Sequence, residues 1–164
     1  MLYASYGSNL HPLRLGNRLP SAQLTAVGYL PNWSLCFHKR SKDQSGKCNI
    51  RVGSDGVHFA VFEISDEDKV RLDKIEGVGF GYSEISLYIP GCGDCASYTA
   101  EESHIDGSLQ PYDWYKELVL IGARFHGFPD DYLQRIESIQ ALRDPDIGRR
   151  ANEWRTVELI RAGS

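Results

Sequence analysis

The distribution of apolar positions predicts strands in the first two-thirds of the chain and helices in the last third. Val57–Ile64 alternates with a period of two: Val57, Phe59, Val61 and Glu63 share one face, His58, Ala60, Phe62 and Ile64 the other. Leu2–Ser5, Leu24–Leu30 and Trp33–His38 are runs rich in aromatic and aliphatic residues that read as strands, the last two separated by Pro31-Asn32. Tyr82–Ile89 and Cys95–Ala100 pair as a hairpin. Leu10–Leu19 predicts a short helix with Pro12 in its first turn and Pro20 ending it. Ser65 caps a second helix, with acids at 66–68, that runs to about Glu76 and stops at Gly77. Helical spacing returns in Tyr112–Phe125, where Gly122 allows close packing. Pro129 sits at the first position of a further helix through Leu133, Ile136, Ile139 and Leu142. Ala151–Ala162 repeats the pattern with Trp154, Val157 and Ile160. Segregation of strands from helices argues an α+β fold rather than a doubly wound sheet.

Composition narrows the class. The chain has 164 residues, 41% hydrophobic and 24% charged, as expected of one ordinary globular domain spanning 1–164. The net charge is −4, and no basic run exceeds Lys39-Arg40 with Lys42 nearby, so no nucleic-acid partner is expected. No apolar run approaches the ~18 residues of a membrane span. The start, Met1-Leu2-Tyr3-Ala4-Ser5-Tyr6, lacks the basic and apolar regions of a signal peptide, so the expected location is cytoplasmic. The cysteines at 36, 48, 92 and 95 are too sparse for a disulfide scaffold. Cys92-Gly93-Asp94-Cys95 reads as a hairpin tip with ordinary thiols, with a cross-hairpin disulfide or a metal site as alternatives. The histidines show no ligand spacing.

Three segments carry candidate chemistry. Tyr6-Gly7-Ser8-Asn9-Leu10 joins the first strand to the first helix, a place where backbone N–H groups make a site for a carboxylate or a developing oxyanion. A plain β–α turn is the ordinary alternative. Glu76 ends a helix, facing the negative end of the macrodipole, with Asp73 one turn back. Both effects, and burial, raise a carboxyl pKa toward the range of a general base. An exposed glutamate paired with Lys74 or Arg71 is the ordinary alternative. Gly77-Val78-Gly79-Phe80-Gly81-Tyr82 follows a helix and precedes a strand, the reverse of a dinucleotide loop, and delivers Tyr82 to a strand start.

In order along the chain, these segments resemble the γ-glutamylcyclotransferase-like family. Tyr3-Ala4-Ser5-Tyr6-Gly7-Ser8-Asn9-Leu10 is similar to its Y-x-x-Y-G-S-N-L loop. Leu72-Asp73-x-x-Glu76-Gly77-Val78 with Gly81-Tyr82 resembles its catalytic-glutamate segment. Tyr115-Lys116, Ile121-Gly122-Ala123 and Gly127-Phe128-Pro129-x-x-Tyr132 resemble its later helices. The resemblance covers about 1–145 and leaves 146–164 as a helical tail. It implies a mixed β-barrel with flanking helices and a pocket at one end. It also implies conversion of a small γ-glutamyl amide to 5-oxoproline and a free amine, with no metal or organic cofactor, by a monomer or homodimer. Glu76 would be the general acid/base; Tyr6, Gly7, Ser8, Asn9, Leu10, Tyr82 and Tyr115 would hold substrate. Ser41–Gly46 and His104–Gln110 are candidates for leaving-group contacts. A non-catalytic member that binds a small metabolite or a protein is the competing expectation.

Overall fold

The computed structural model describes residues 1–163. In chain order the elements are β1 (Leu2–Ser5), α1 (Pro12–Arg18), β2 (Gln23–Leu30), β3 (Trp33–Arg40), β4 (Gly46–Val52), β5 (Val57–Glu63), α2 (Asp66–Glu76), β6 (Tyr82–Ile89), β7 (Gly93–Ala100), α3 (Asp113–Phe125), α4 (Asp130–Glu137) and α5 (Ile147–Ala162). The fold is α+β.

β5 lies inside a five-stranded sheet of order β2-β5-β1-β7-β6, antiparallel to both neighbours. Both its faces are covered: Val57, Phe59, Ala60, Val61 and Phe62 are all buried. β1 and β7 run parallel and share a ladder position only at Tyr3–Ala96, a thin seam that Ser97 Oγ reinforces by donating to Ala4 O at 2.9 Å. β6 and β7 form the expected hairpin.

β3 and β4 make a separate two-stranded ribbon against this sheet. β4 is not among the expected strands, although Lys47–Val52 alternates polar and apolar residues, and its polar face is partly spent on internal bonds. Asn49 is buried, and its Oδ1 accepts from Ala100 N–H at 2.7 Å and from Thr99 Oγ1 at 3.2 Å. These bonds tie the ribbon to β7, so strands of both sheets enclose one core to which Phe37, Ile50, Phe59 and Leu118 contribute.

Three helix boundaries differ from expectation, each for a local reason. α1 starts at Pro12, not Leu10, because a residue before proline is driven out of helical geometry. His11 is extended (φ −77°, ψ 128°), and its Nδ1 accepts Leu13 N–H at 3.2 Å. α4 begins just after Pro129 and ends at Glu137 instead of reaching Leu142. Lys116 Nζ takes the carbonyls of Glu137 and Ile139, and Leu142 exchanges backbone bonds with Pro111 and Asp113. α5 begins at Ile147, not Ala151, because Asp146 caps it by accepting Arg149 N–H at 2.9 Å.

The C-terminal helix is locked to α3 through Asp144. This buried carboxylate accepts from Trp114 Nε1 at 3.0 Å and from Arg149 at 2.6 and 2.7 Å. Burial alone would raise its pKa, but Arg149, Trp114 and the Asp146 N–H together hold it at about 2. A depressed carboxylate stabilises the fold above its unfolded pKa and loses that contribution as pH falls through the folded value. Asp144→Asn is therefore expected to lower Tm at neutral pH and to narrow its gap to wild type between pH 4 and 2. Melting curves across that range check it, and an unchanged neutral Tm would refute the lock.

Candidate active site

One end of the sheet and the C-terminus of α2 converge on a small cavity. β1 supplies Tyr3 and Ser5, the following turn Tyr6, Gly7, Ser8 and Asn9, α2 Glu76, and β6 and α3 Tyr82 and Tyr115. Glu76 is placed by the way α2 stops. Gly77 adopts a left-handed conformation (φ 70°), which favours glycine, and the N–H groups of Gly77 and Val78 both donate to Asp73 O at 2.9 and 3.0 Å. The helix thus ends with Glu76 as its last residue, against the 6–9 turn.

Asn9 Nδ2 donates to Glu76 Oε1 at 2.9 Å, and Arg18 Nη1 donates to Asn9 Oδ1 at 3.0 Å. Burial pushes the Glu76 carboxyl above the ordinary glutamate range; Arg18, Lys39, Asn9 and Arg14 pull in the opposite direction without cancelling it. The upward direction matches expectation, and of the causes expected burial is the leading one. Asp73 is not an electrostatic neighbour of consequence, since Lys69 binds it at 2.6 Å and Tyr98 OH donates to it at 2.7 Å. Glu76 is no exposed helix-end acid either: it forms no ion pair with Lys74 or Arg71, and Arg71 pairs with Glu67 and Asp68.

The tyrosines are protonated and held by the backbone. Burial raises Tyr6, Tyr82 and Tyr115 well above the ordinary phenol range. Tyr6 OH donates to Tyr98 O at 2.6 Å, and Tyr82 OH donates to Cys48 O at 2.5 Å. Tyr115 OH accepts from Cys48 N–H at 3.1 Å. With their protons committed, Tyr6 and Tyr82 offer lone pairs to a ligand. Among the described residues no acceptor meets the N–H groups of Gly7, Ser8 or Asn9, whereas Leu10 N–H is bonded to Gly7 O at 3.1 Å. The available donors therefore belong to the turn itself and not to the short helix behind it.

Of the residues expected at the site, Glu76, Tyr6, Gly7, Ser8, Asn9, Tyr82 and Tyr115 meet at this cavity. Leu10 does not: its side chain is fully buried against Gly122 of α3. Sequence reasoning missed Tyr3, Ser5, Cys48 and Tyr98, which also line it. Ser5 Oγ is buried with no hydrogen-bond partner, a spare hydroxyl at the cavity wall. The two-residue period of β1, which puts Tyr3 and Ser5 on one face, was the available signal. Burial pushes the Cys48 thiol up to about 12, which leaves it a weak nucleophile. Ser41, Lys42, Gln44 and His104 line a wider groove outside Glu76.

All four cysteines are free thiols, so the cross-hairpin disulfide is not formed. Among the described residues no three His, Cys, Asp or Glu side chains converge as a metal site. Cys92 and Cys95 lie at the far end of the β6–β7 hairpin from Tyr82, roughly 20 Å along the strand at ~3.3 Å per residue. Replacing both with serine is expected to leave turnover within twofold of wild type; a steady-state assay that showed a larger loss would tie the hairpin tip to the site.

Comparison with known proteins shows what the chain as a whole is similar to. Residues 56–136 match the AIG2-like family. A γ-glutamylcyclotransferase of Bos taurus is 31% identical over 150 residues, covering 85% of this chain and 78% of that protein. The Homo sapiens γ-glutamylcyclotransferase is 29% identical over the same shares. A solved γ-glutamyl cyclotransferase structure superposes with a TM-score of 0.77 at 27% identity, covering 87% of this chain and 89% of its own.

Proposed function

The chain belongs to the γ-glutamylcyclotransferase-like family, and from that premise we propose that it cyclises a γ-glutamyl amide through Glu76. The observation that carries this reading is a carboxylate with a raised pKa in a small cavity, held by Asn9 beside a turn of unused N–H donors.

The substrate's α-amino group arrives as an ammonium and has no lone pair to attack with. Glu76 takes one of its protons, which an ordinary carboxylate does poorly and a raised one does better. The oxygens of Tyr6 and Tyr82, whose own protons are committed, accept from the remaining N–H bonds. The freed nitrogen attacks the side-chain carbonyl carbon, and the charge that develops on oxygen is met by N–H donors of the Gly7–Asn9 turn or by the Ser5 hydroxyl. The proton on Glu76 passes to the departing nitrogen and the carbon–nitrogen bond breaks. Glu76, again a carboxylate, takes the second proton that the ring nitrogen must lose and releases it to the free amine or to water, so that 5-oxoproline and the amine leave. Ring closure joins two ends of one molecule, so positioning supplies much of the acceleration and no nucleophilic side chain takes part.

The test is to incubate the protein with γ-glutamyl dipeptides and γ-glutamyl alkylamides and analyse products by mass spectrometry. 5-Oxoproline in stoichiometric amounts with the released amine is expected. Release of free glutamate would mean that water attacks instead, and absence of any product from the folded protein would end the proposal.

A further inference from the structure

Outside the small cavity the site widens into a vestibule lined by Arg14, Arg18, Lys39, Lys47, Arg149 and Glu76. Five cations against three carboxylates, Glu76, Asp43 and Glu153, stand out in a chain of net charge −4. Three of them are compensated nearby. Lys47 pairs with Asp43 at 2.8 Å, Arg149 with Asp144 at 2.6 Å, and Arg14 more loosely with Glu153 at 3.8 Å. Arg18 and Lys39 form no ion pair with any described carboxylate. Arg18 donates to the neutral Asn9 amide. Lys39 is only 8% exposed, with Nζ 4.5 Å from the centre of the Tyr82 ring. Burying an ammonium without a direct ion-pair partner is costly, and burial weakens the hold of Lys39 on its proton although Glu76 and Asp43 pull the other way.

Lys39 also lines the groove that continues outward, where Lys42 and Lys74 stand over Ile75, Val78 and Phe80. Neither lysine has an ion pair among the described residues. The carboxylate of Asp73 in this groove is already taken by Lys69. From the reaction centre outward, four cations (Arg18, Lys39, Lys42 and Lys74) therefore face the single uncommitted carboxylate of Glu76. The γ-glutamyl half of a substrate, with one carboxylate and one ammonium, adds no net charge. The excess positive charge lies along the path that the leaving group must occupy.

We propose that this enzyme selects γ-glutamyl substrates whose leaving amine carries two anionic groups, as an α-amino dicarboxylate does, and that Lys39 is the main determinant of that choice. The inference rests on the cyclotransferase reading. The α-carboxylate of the leaving amino acid, next to the scissile bond, meets Arg18; the second anionic group meets Lys39, where the vestibule opens into the groove, with Lys42 and Lys74 farther out.

The decisive comparison is γ-glutamyl-glutamate against its isostere γ-glutamyl-glutamine, whose leaving group keeps the α-carboxylate but has a neutral side chain, so that the two differ by one charge. For the wild-type protein kcat/KM is expected to favour the glutamate dipeptide by about tenfold at low salt, the size of one partly screened charge contact. The preference shrinks in 0.5 M salt, because exposed charges are screened. Lys39→Met, which keeps the apolar stem over Tyr82, reduces the ratio to about threefold or less, and the exposed pair Lys42→Met/Lys74→Met reduces it in part. Equal turnover of both dipeptides by wild type would overturn the inference and leave the reaction intact. No 5-oxoproline from any substrate would instead remove the reaction, and calorimetric titration of Glu76→Gln with the same dipeptides then decides. Tighter binding of the glutamate dipeptide supports the anionic subsite, and equal affinity overturns it.

Discussion

Glu76→Gln is expected to fold normally and to lose turnover by a factor of about 10³, within the ~10²–10⁴ that a positioned acid/base contributes. The amide keeps the volume of the side chain and presents an oxygen to Asn9 Nδ2, so the bond at the cavity wall survives. What it cannot do is accept the ammonium proton. Activity within tenfold of wild type would exclude Glu76 as the base. The same variant reads the stability side of the site. A carboxyl whose pKa is raised on folding binds protons more tightly in the folded state, so its contribution is fullest at low pH. That contribution falls as pH rises from the ordinary glutamate range through the raised value. Glu76→Gln removes this loss and is expected to melt higher than wild type at neutral pH while being inactive. For wild type, kcat/KM climbs with pH along a limb set above the ordinary carboxylate range. Arg18→Met, which removes a cation holding that carboxyl down, moves the limb higher still.

Gly122→Ala is expected to combine a large stability loss with a loss of activity, although the residue touches no substrate. A methyl group at this position would meet Leu10 Cβ at 2.4 Å and His11 N at 3.0 Å. Real side chains do not approach this closely, so α3 and the segment after the 6–9 turn have to separate. Overpacking of this kind costs about 1–3 kcal/mol, or several degrees in Tm for a chain of this size. Displacing Leu10 shifts Asn9 and with it the bond to Glu76, so kcat/KM falls as well. A variant with wild-type Tm and kinetics would show that the turn does not depend on its packing against α3.

Much of the site was legible because it is built from local signals. Ser65 with the acids behind it and Gly77 at the end define α2, and the helix length then places Glu76 at its terminus. The Tyr6–Asn9 turn follows from a strand that ends and a proline that delays the next helix. The resemblance added order and role. Leu10 shows where a motif read residue by residue misleads: it belongs to the Tyr3–Leu10 string that carries the resemblance but serves as the wedge that seats the turn on α3. β4 is absent from the expected strands although Lys47-Cys48-Asn49-Ile50-Arg51-Val52 alternates polar and apolar; what the pattern does not record is that polar Asn49 is buried, because it bonds across the seam to β7.

By itself, the sequence determined the α+β class and the position of most strands and helices, and it made Glu76 a candidate for acid/base chemistry. These depend on periodicity, caps and breakers, which act over a few residues. Only the tertiary structure decided that burial rather than Asp73 raises the Glu76 pKa, that the tyrosine protons are committed to backbone carbonyls, and that Arg18 and Lys39 converge outside the pocket. Desolvation, hydrogen-bond direction and charge balance are properties of groups distant in the chain and adjacent in space, and no local pattern records them.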